Sequence, residues 1–304
     1  MSTAEVPRVG DGRALAVLIF GAVVIGFVPI LVRLSDTGSA AAGFWRLAFA
    51  LPLLALMSMR GGTGIDGGPS RLALLAGVMF ALDLGFWHYG IALTSVANAT
   101  VLTNLTPVVV TAVAWIFLRQ TPRKLFLLAV ALALAGAFTM AAAKGGAHGP
   151  APGLGNAAAA LTALWYAFYF LAVSAARQTQ SALRIMFWSS LTGAPLLLIA
   201  ALLLGEPIIP ASLGGWAACA GLGVLHVAGQ GAIAWALGRL PAATASVVVL
   251  IQPVVAACAG WMLFAEYLGP VQALGAAVTL AGVALAQWSA RPRPSPDPPA
   301  LKPA

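Results

Sequence analysis

Ile91-Ala-Leu-Thr-Ser-Val-Ala-Asn-Ala-Thr-Val-Leu-Thr-Asn-Leu-Thr-Pro107 and Leu237-Gly-Arg-Leu-Pro-Ala-Ala-Thr-Ala-Ser-Val-Val-Val-Leu-Ile-Gln-Pro253 are two copies of one stretch, and each runs on to a tryptophan, Trp115 and Trp261. With Pro107 placed on Pro253, Ala97 meets Ala243, Ala99 meets Ala245, Thr100 meets Ser246 and Val101 meets Val247. The same offset of 146 residues, from 107 to 253, carries Gly136 onto Gly282 downstream. Each copy is an apolar segment long enough to cross a bilayer, interrupted by a proline and small polar side chains. A repeated, interrupted helix at membrane depth is the pattern of a transporter assembled from two equivalent halves.

The rest of the chain agrees with a membrane solvent. Of 304 residues, 61% are hydrophobic and 8% charged, whereas a soluble domain carries about 25% charged residues. Apolar runs near the 20 residues needed to span hydrocarbon are expected at 14–34, 39–59, 72–93, 97–118, 125–143, 154–173, 183–204, 213–237, 242–264 and 271–288. The first run is longer than the apolar core of a cleaved signal, about 7–15 residues, and is expected to stay as a helix. The formal charge of +8 does not indicate nucleic acid, because the basic residues sit in short loops between apolar runs. Cys219 and Cys258 fall inside apolar segments without metal or disulfide spacing.

Thirteen of the sixteen Lys and Arg fall on the side of the N-terminus, two (Arg33 and Lys144) on the other, and Arg46 inside a span. The positive-inside rule then places both termini in the cytoplasm. An odd number of spans would destroy the asymmetry, which supports ten. Most tryptophans lie near span ends, as in an aromatic belt; Trp87 and Trp165 lie deeper.

The repeat extends beyond the opening stretch. Phe44-Trp45 followed by Pro52-Leu-Leu in the second span matches Phe187-Trp188 followed by Pro195-Leu-Leu in the seventh. Five spans are therefore repeated, and because five is odd the halves insert in opposite directions. The expected organisation is a cytoplasmic N-terminus over 1–13, a first five-helix repeat over 14–143 and a periplasmic linker over 144–153. A second, inverted repeat over 154–288 and a disordered cytoplasmic tail over 289–304 follow. The expected fold is an all-α integral membrane protein, its ten transmembrane helices forming two inverted repeats around a central cavity.

The chain resembles the drug/metabolite transporter superfamily, in its ten-span EamA-type members. The resemblance rests on Phe44-Trp-Arg46, the two Ala-Thr/Ser…Pro stretches, Trp261-Met-Leu-Phe-Ala-Glu266, Gly275 and Gly282. It implies export or exchange of small metabolites, and the aromatic content is similar to that of exporters of aromatic and neutral amino acids in the bacterial inner membrane. The first half departs from the family pattern at Leu118-Arg-Gln120, where a glutamate is common. A small-molecule substrate moved by alternating access of the two inverted halves is expected, as exchange or proton antiport. Drug/cation and nucleotide-sugar substrates remain alternatives.

Several residues can carry that chemistry. Asp83 is the acid well inside a span, where an ionised carboxylate costs about 2.5 kcal/mol or more and so faces a polar cavity or a partner. It is read as a proton-coupling site or a ligand for a substrate ammonium, or as an acid bonded to a neighbouring helix. Gly77, Phe80, Asp83, Trp87 and Gly90 share its helical face. Arg46 pairs with Asp83 or a substrate carboxylate, or snorkels to the interface. Arg33 and Asp36 are expected to be solvated at the periplasmic boundary. Thr100, Thr103, Asn104 and Thr111 recur at helical spacing around Pro107, which frees a carbonyl near Thr103 for substrate or water; equally, such side chains join helices. In the twin, Gln252 and Ser246 stay polar while Val249-Leu250 stand opposite Thr103-Asn104. Thr162, Trp165, Tyr166 and Tyr169 form a stripe on the sixth span that is either packing or a cavity wall giving the tyrosine hydroxyls partners. His226 and Gln230, one turn apart, are a protonatable gate and substrate ligands, or a satisfied core pair. Pro107, Pro253, Arg46 and Glu266 are gating or hinge candidates. The two proline kinks are expected to form opposite cavity walls, with Asp83, Trp165 and His226 beside them.

Hydrolytic motifs, phosphate-cradling loops and paired intramembrane carboxylates are missing from the sequence, so no catalytic residue, metal or cofactor is expected. An intramembrane enzyme using His226 and Asp83, or a channel, are the readings from other classes. The expected partners are the substrate, the lipid bilayer and a coupling proton, with no nucleic acid, in a monomer or weak dimer.

Overall fold

Hydrocarbon offers no hydrogen bonds, so a chain crossing it must satisfy its backbone within each segment, and a helix does so. The computed structural model describes residues 11–61, 68–94, 99, 102–117, 119–142, 150–264 and 269–289, and no strand occurs among them. The expected linker before residue 150, the C-terminal tail after residue 289, Thr100 and Glu266 lie outside the described residues.

Ten helical crossings follow in order. The first is Gly12–Gly26 continued by Val28–Arg33, the second Ser39–Gly61, the third Arg71–Leu93, the fourth ends in Thr106–Ile116, and the fifth is Lys124–Ala142. The sixth is Pro152–Ala176, the seventh Ala182–Leu203 and the eighth Leu213–Leu225 continued through His226–Gln230 to Gly231–Ala236. The ninth is Ala242–Val248 continued by Ile251–Phe264, and the tenth is Pro270–Ser289. Seven of these are long and apolar enough to cross a membrane by length and composition alone. Thr106–Ile116 and Lys124–Met140 are shorter apolar helices, and the remaining crossing, Arg71–Leu93, has 23 residues with Asp83 near its middle.

Three crossings break where a proline removes an N–H and crowds the carbonyl four residues back. The breaks fall at Phe27 before Pro29, at Asn104–Leu105 before Pro107, and at Val249–Leu250 before Pro253. Pro52 and Pro195 leave the second and seventh helices continuous. The eighth crossing widens into a π-helical turn at His226–Gln230, a feature concentrated at functional sites.

The two halves are related by a pseudo-two-fold axis, visible in individual contacts. The second crossing packs on the seventh, the fourth on the ninth and the fifth on the tenth, so each pairs with its own repeat mate. The third packs on the sixth as the eighth packs on the first. A Cβ added to Gly136 would meet Thr279 N at 2.4 Å, and one added to Gly282 would meet Ala133 N at 2.4 Å. Residues 136 and 282, and 133 and 279, are repeat mates, so this is one contact seen twice. Gly77 against Ser189 and Thr192, and its mate Gly223 against Phe49, repeat the lesson. Phe80 and His226 are also mates, and their rings stand 5.6 Å apart on the axis.

Candidate functional site

A cavity of about 450 Å³ opens between the halves. Its wall takes Ile25 to Arg33 from the first crossing, Arg46 from the second, and Phe80, Asp83 and Trp87 from the third. Thr103 and Asn104 come from the fourth, Thr162 and Tyr166 from the sixth, Gln230 from the eighth, and Gln252 to Phe264 from the ninth. All three proline breaks thus reach the cavity, where irregular backbone is tolerated because it is shielded from lipid. The lining runs from mid-membrane to the face opposite Gly12 and Ser289, where the Arg33 guanidinium lies over the Phe264 ring at 4.1 Å.

At the inner end of the cavity an acid and a base are brought together. Asp83 is 7% exposed and Arg46 5% exposed, and each lies within the other's electrostatic reach. Arg46 Nε donates to His226 Nδ1 at 3.2 Å, and its guanidinium lies 5.2 Å from the centre of the Phe80 ring. Its Nη2 is buried without a partner. Behind it, His226 Nε2 stands 3.3 Å from Ser190 Oγ. Arg46 therefore does not snorkel to the interface: the side chain turns inward, where His226 and the Phe80 face receive it. Tyr166 stacks on Tyr169 with centroids 5.8 Å apart, and Gln230 Nε2 donates to the Tyr169 hydroxyl at 3.0 Å. Donors predominate here, since Asn104 Nδ2 and Gln252 Nε2 are also buried without partners.

Most of the sequence candidates meet in this wall, but not all. Asp83, Trp87, Thr103, Asn104, Tyr166, Gln230, Gln252, Pro253 and Arg46 line it. Tyr169 and His226 form the layer behind, bonded to Gln230 and Arg46. Trp165 packs on Phe86 at 6.0 Å with its indole nitrogen buried and unpartnered. Pro107 is buried in packing, and the carbonyl it was expected to free at Thr103 accepts from Thr106 Oγ1 at 2.9 Å. Of the shared face on the third crossing, Gly77 and Gly90 serve helix packing instead. The break at Pro29, the π-turn and Gln272 were not anticipated; the first had a signal in the proline inside an apolar run. No three His, Cys, Asp or Glu side chains gather to hold a metal ion among the described residues.

The opposite side is closed. Gln252, Pro253, Ala256 and Ala257 border the cavity, whereas their repeat mates Thr106, Pro107, Val110 and Thr111 are buried. The closed side is pinned at the membrane edge. Arg177 Nε donates to Ala234 O at 3.1 Å, and its Nη1 donates to Gln180 O. Ser174 Oγ donates to Leu237 O at 3.4 Å, and Arg123 Nη1 to Ser289 O at 2.8 Å. Burial first, and then the neighbouring Arg239 guanidinium, lower the Arg177 pKa from its ordinary value.

Sequence comparison assigns this architecture. The EamA-like transporter family matches residues 12–142 and again residues 153–288. The chain belongs to the EamA-like transporter family. It is a multi-pass membrane protein, and the family match falls in two blocks, one on each five-helix half. An uncharacterized transporter of Archaeoglobus fulgidus is 28% identical over 274 residues, covering 89% of this chain and 95% of that protein. One solved crystal structure superposes with a TM-score of 0.78 at 16% identity, covering 93% of this chain and 99% of its own, a likeness of fold alone.

Proposed function

We propose that this EamA-like transporter exports amino acids, aromatic and neutral ones foremost, by alternating access across a bacterial inner membrane, with both termini cytoplasmic. The observation that carries the reading is Asp83 and Arg46 in one cavity. An amino acid is a zwitterion with an ammonium and a carboxylate on one carbon. One buried acid and one buried base match it in charge, whereas a cationic drug would leave Arg46 uncompensated. Trp87 and Tyr166 in the same wall supply apolar faces for an aromatic side chain. The surplus of unpartnered donors further favours a carboxylate over a cation.

Alternating access is supported by the repeat mates. The cavity-facing half of the ninth crossing and the buried half of the fourth are equivalent sequences in inequivalent surroundings. Exchange of their roles would open the other face without a new fold. The cycle is that of a carrier and not of an intramembrane enzyme, and the working unit is a monomer or weak dimer.

The test is a thermal-shift screen of purified protein against amino acids, polyamines, quaternary ammonium compounds and nucleotide sugars. A ligand of the folded state raises the midpoint by mass action. Stabilisation by L-phenylalanine or a related amino acid is expected. Stabilisation by quaternary ammonium compounds alone would overturn the amino-acid reading.

A further inference from the structure

His226 is a buried titratable group that lies just outside the cavity wall and still acts on it. It is 2% exposed, accepts from Arg46 Nε at Nδ1 and meets Ser190 Oγ at Nε2. Arginine has donors and no acceptor. Nδ1 therefore presents a lone pair here, and the ring proton resides on Nε2, directed at Ser190. A proton on Nδ1 and the Arg46 Nε–H in this pose exclude each other, because two donors, and two cations, would then face across one contact. Arg46 itself lines the cavity together with Asp83 and Tyr166. Whatever displaces Nε displaces the nitrogens available to a substrate.

We propose that His226 is the positioning and proton-coupling residue of the cavity. With a neutral ring it holds Arg46 poised for a substrate carboxylate; a proton taken from cavity water onto Nδ1 turns Arg46 toward Asp83, so proton and carboxylate bind in competition. The proposal rests on the amino-acid reading above. The groups facing the ring are Arg46 from the second crossing, Phe80 from the third and Ser190 from the seventh. Tyr169 of the sixth, held by Gln230, packs on Phe80. Asp83 and Tyr166 lie beyond Arg46, and Arg46 is the charge acting directly on His226. Competition of this kind couples substrate exit to proton entry, since each ligand lowers the affinity of the other by the same factor.

The chain has three histidines, so the ring nitrogens are separable by NMR of full-length protein labelled with [15N]histidine in nanodiscs, with His226→Gln assigning the signal. The expected state near pH 8 is the Nε2–H tautomer, shifted by Arg46→Met. Because burial beside the Arg46 guanidinium opposes the ring proton, L-phenylalanine binding is expected to weaken about tenfold only at more acid pH, between about pH 7 and pH 4.5. In His226→Gln, whose amide oxygen can still accept from Arg46 but takes no proton, the change over that range is expected to stay under about twofold. His226→Ala, which removes the acceptor, is expected to bind more weakly than His226→Gln near pH 8. An Nδ1–H tautomer near pH 8, or wild-type pH dependence in His226→Gln, overturns the proposal. If L-phenylalanine binds at no pH, the amino-acid reading fails, while the tautomer, read without ligand, still decides the Arg46–His226 contact.

Discussion

Replacing Gly136 by alanine probes the symmetry of the fold at one atom. The added Cβ would stand 2.4 Å from Thr279 N and 2.5 Å from Gly275 O, where ordinary contacts are 3.4–4 Å. Both neighbours are backbone and cannot rotate aside, so the fifth and tenth crossings must part by about 1 Å. Overpacking of this kind costs about 1–3 kcal/mol. Gly282→Ala makes the mirror-image clash with Ala133 N at 2.4 Å and should cost the same. Because either change parts the same two helices, the double variant should cost less than the sum, by a coupling of about 0.5 kcal/mol or more. Melting of purified protein followed by tryptophan fluorescence should show each single variant lowered by about 2–12 °C. Unequal single effects, differing severalfold, or strict additivity would refute a shared two-fold contact.

Three further outcomes are expected. Asp83→Asn removes the acid that shares the cavity with Arg46 and should weaken amino-acid binding at least about tenfold, roughly 1.4 kcal/mol, read by titration of the purified protein. In a background lacking Cys219 and Cys258, Ala257→Cys should react with a membrane-impermeant thiol reagent from the face opposite the termini, while Val110→Cys, its neighbour's mate, stays protected until transport substrate is added. Arg177→Gln removes charged donors to Ala234 and Gln180, each worth about 1.5–3 kcal/mol, and should raise labelling of Val110→Cys from the face that carries the termini.

The sequence is explicit about what the bilayer dictates and silent about what packing decides. Span number, inversion and the partnership of Pro107 with Pro253 are legible because hydrocarbon forbids long polar runs and because the two halves keep matching residues. Asp83, Trp87 and Tyr166 are legible as cavity residues because polar or amphipathic side chains at that depth need a place to go. The inward turn of Arg46 is not, since its target His226 lies 180 residues away and meets it only through the second and eighth crossings. The π-turn that sets His226 behind the wall and Gln230 in it depends on close approach of the first crossing, where a Cβ on Gly21 would meet Gly229 O at 2.7 Å. Trp165 and Trp87 look alike in the sequence, three residues from Thr162 and four from Asp83, yet only one faces the cavity, because Phe86 claims the other.

Counterflow in proteoliposomes measures the central claim directly. Vesicles carrying the purified protein are loaded with unlabelled L-phenylalanine, and entry of labelled L-phenylalanine is followed against empty vesicles. A carrier whose amino-acid cavity faces the two sides in turn should show transient accumulation of label above equilibrium, lost in Asp83→Asn. Label that only equilibrates, at a rate unaffected by the internal load, would contradict it.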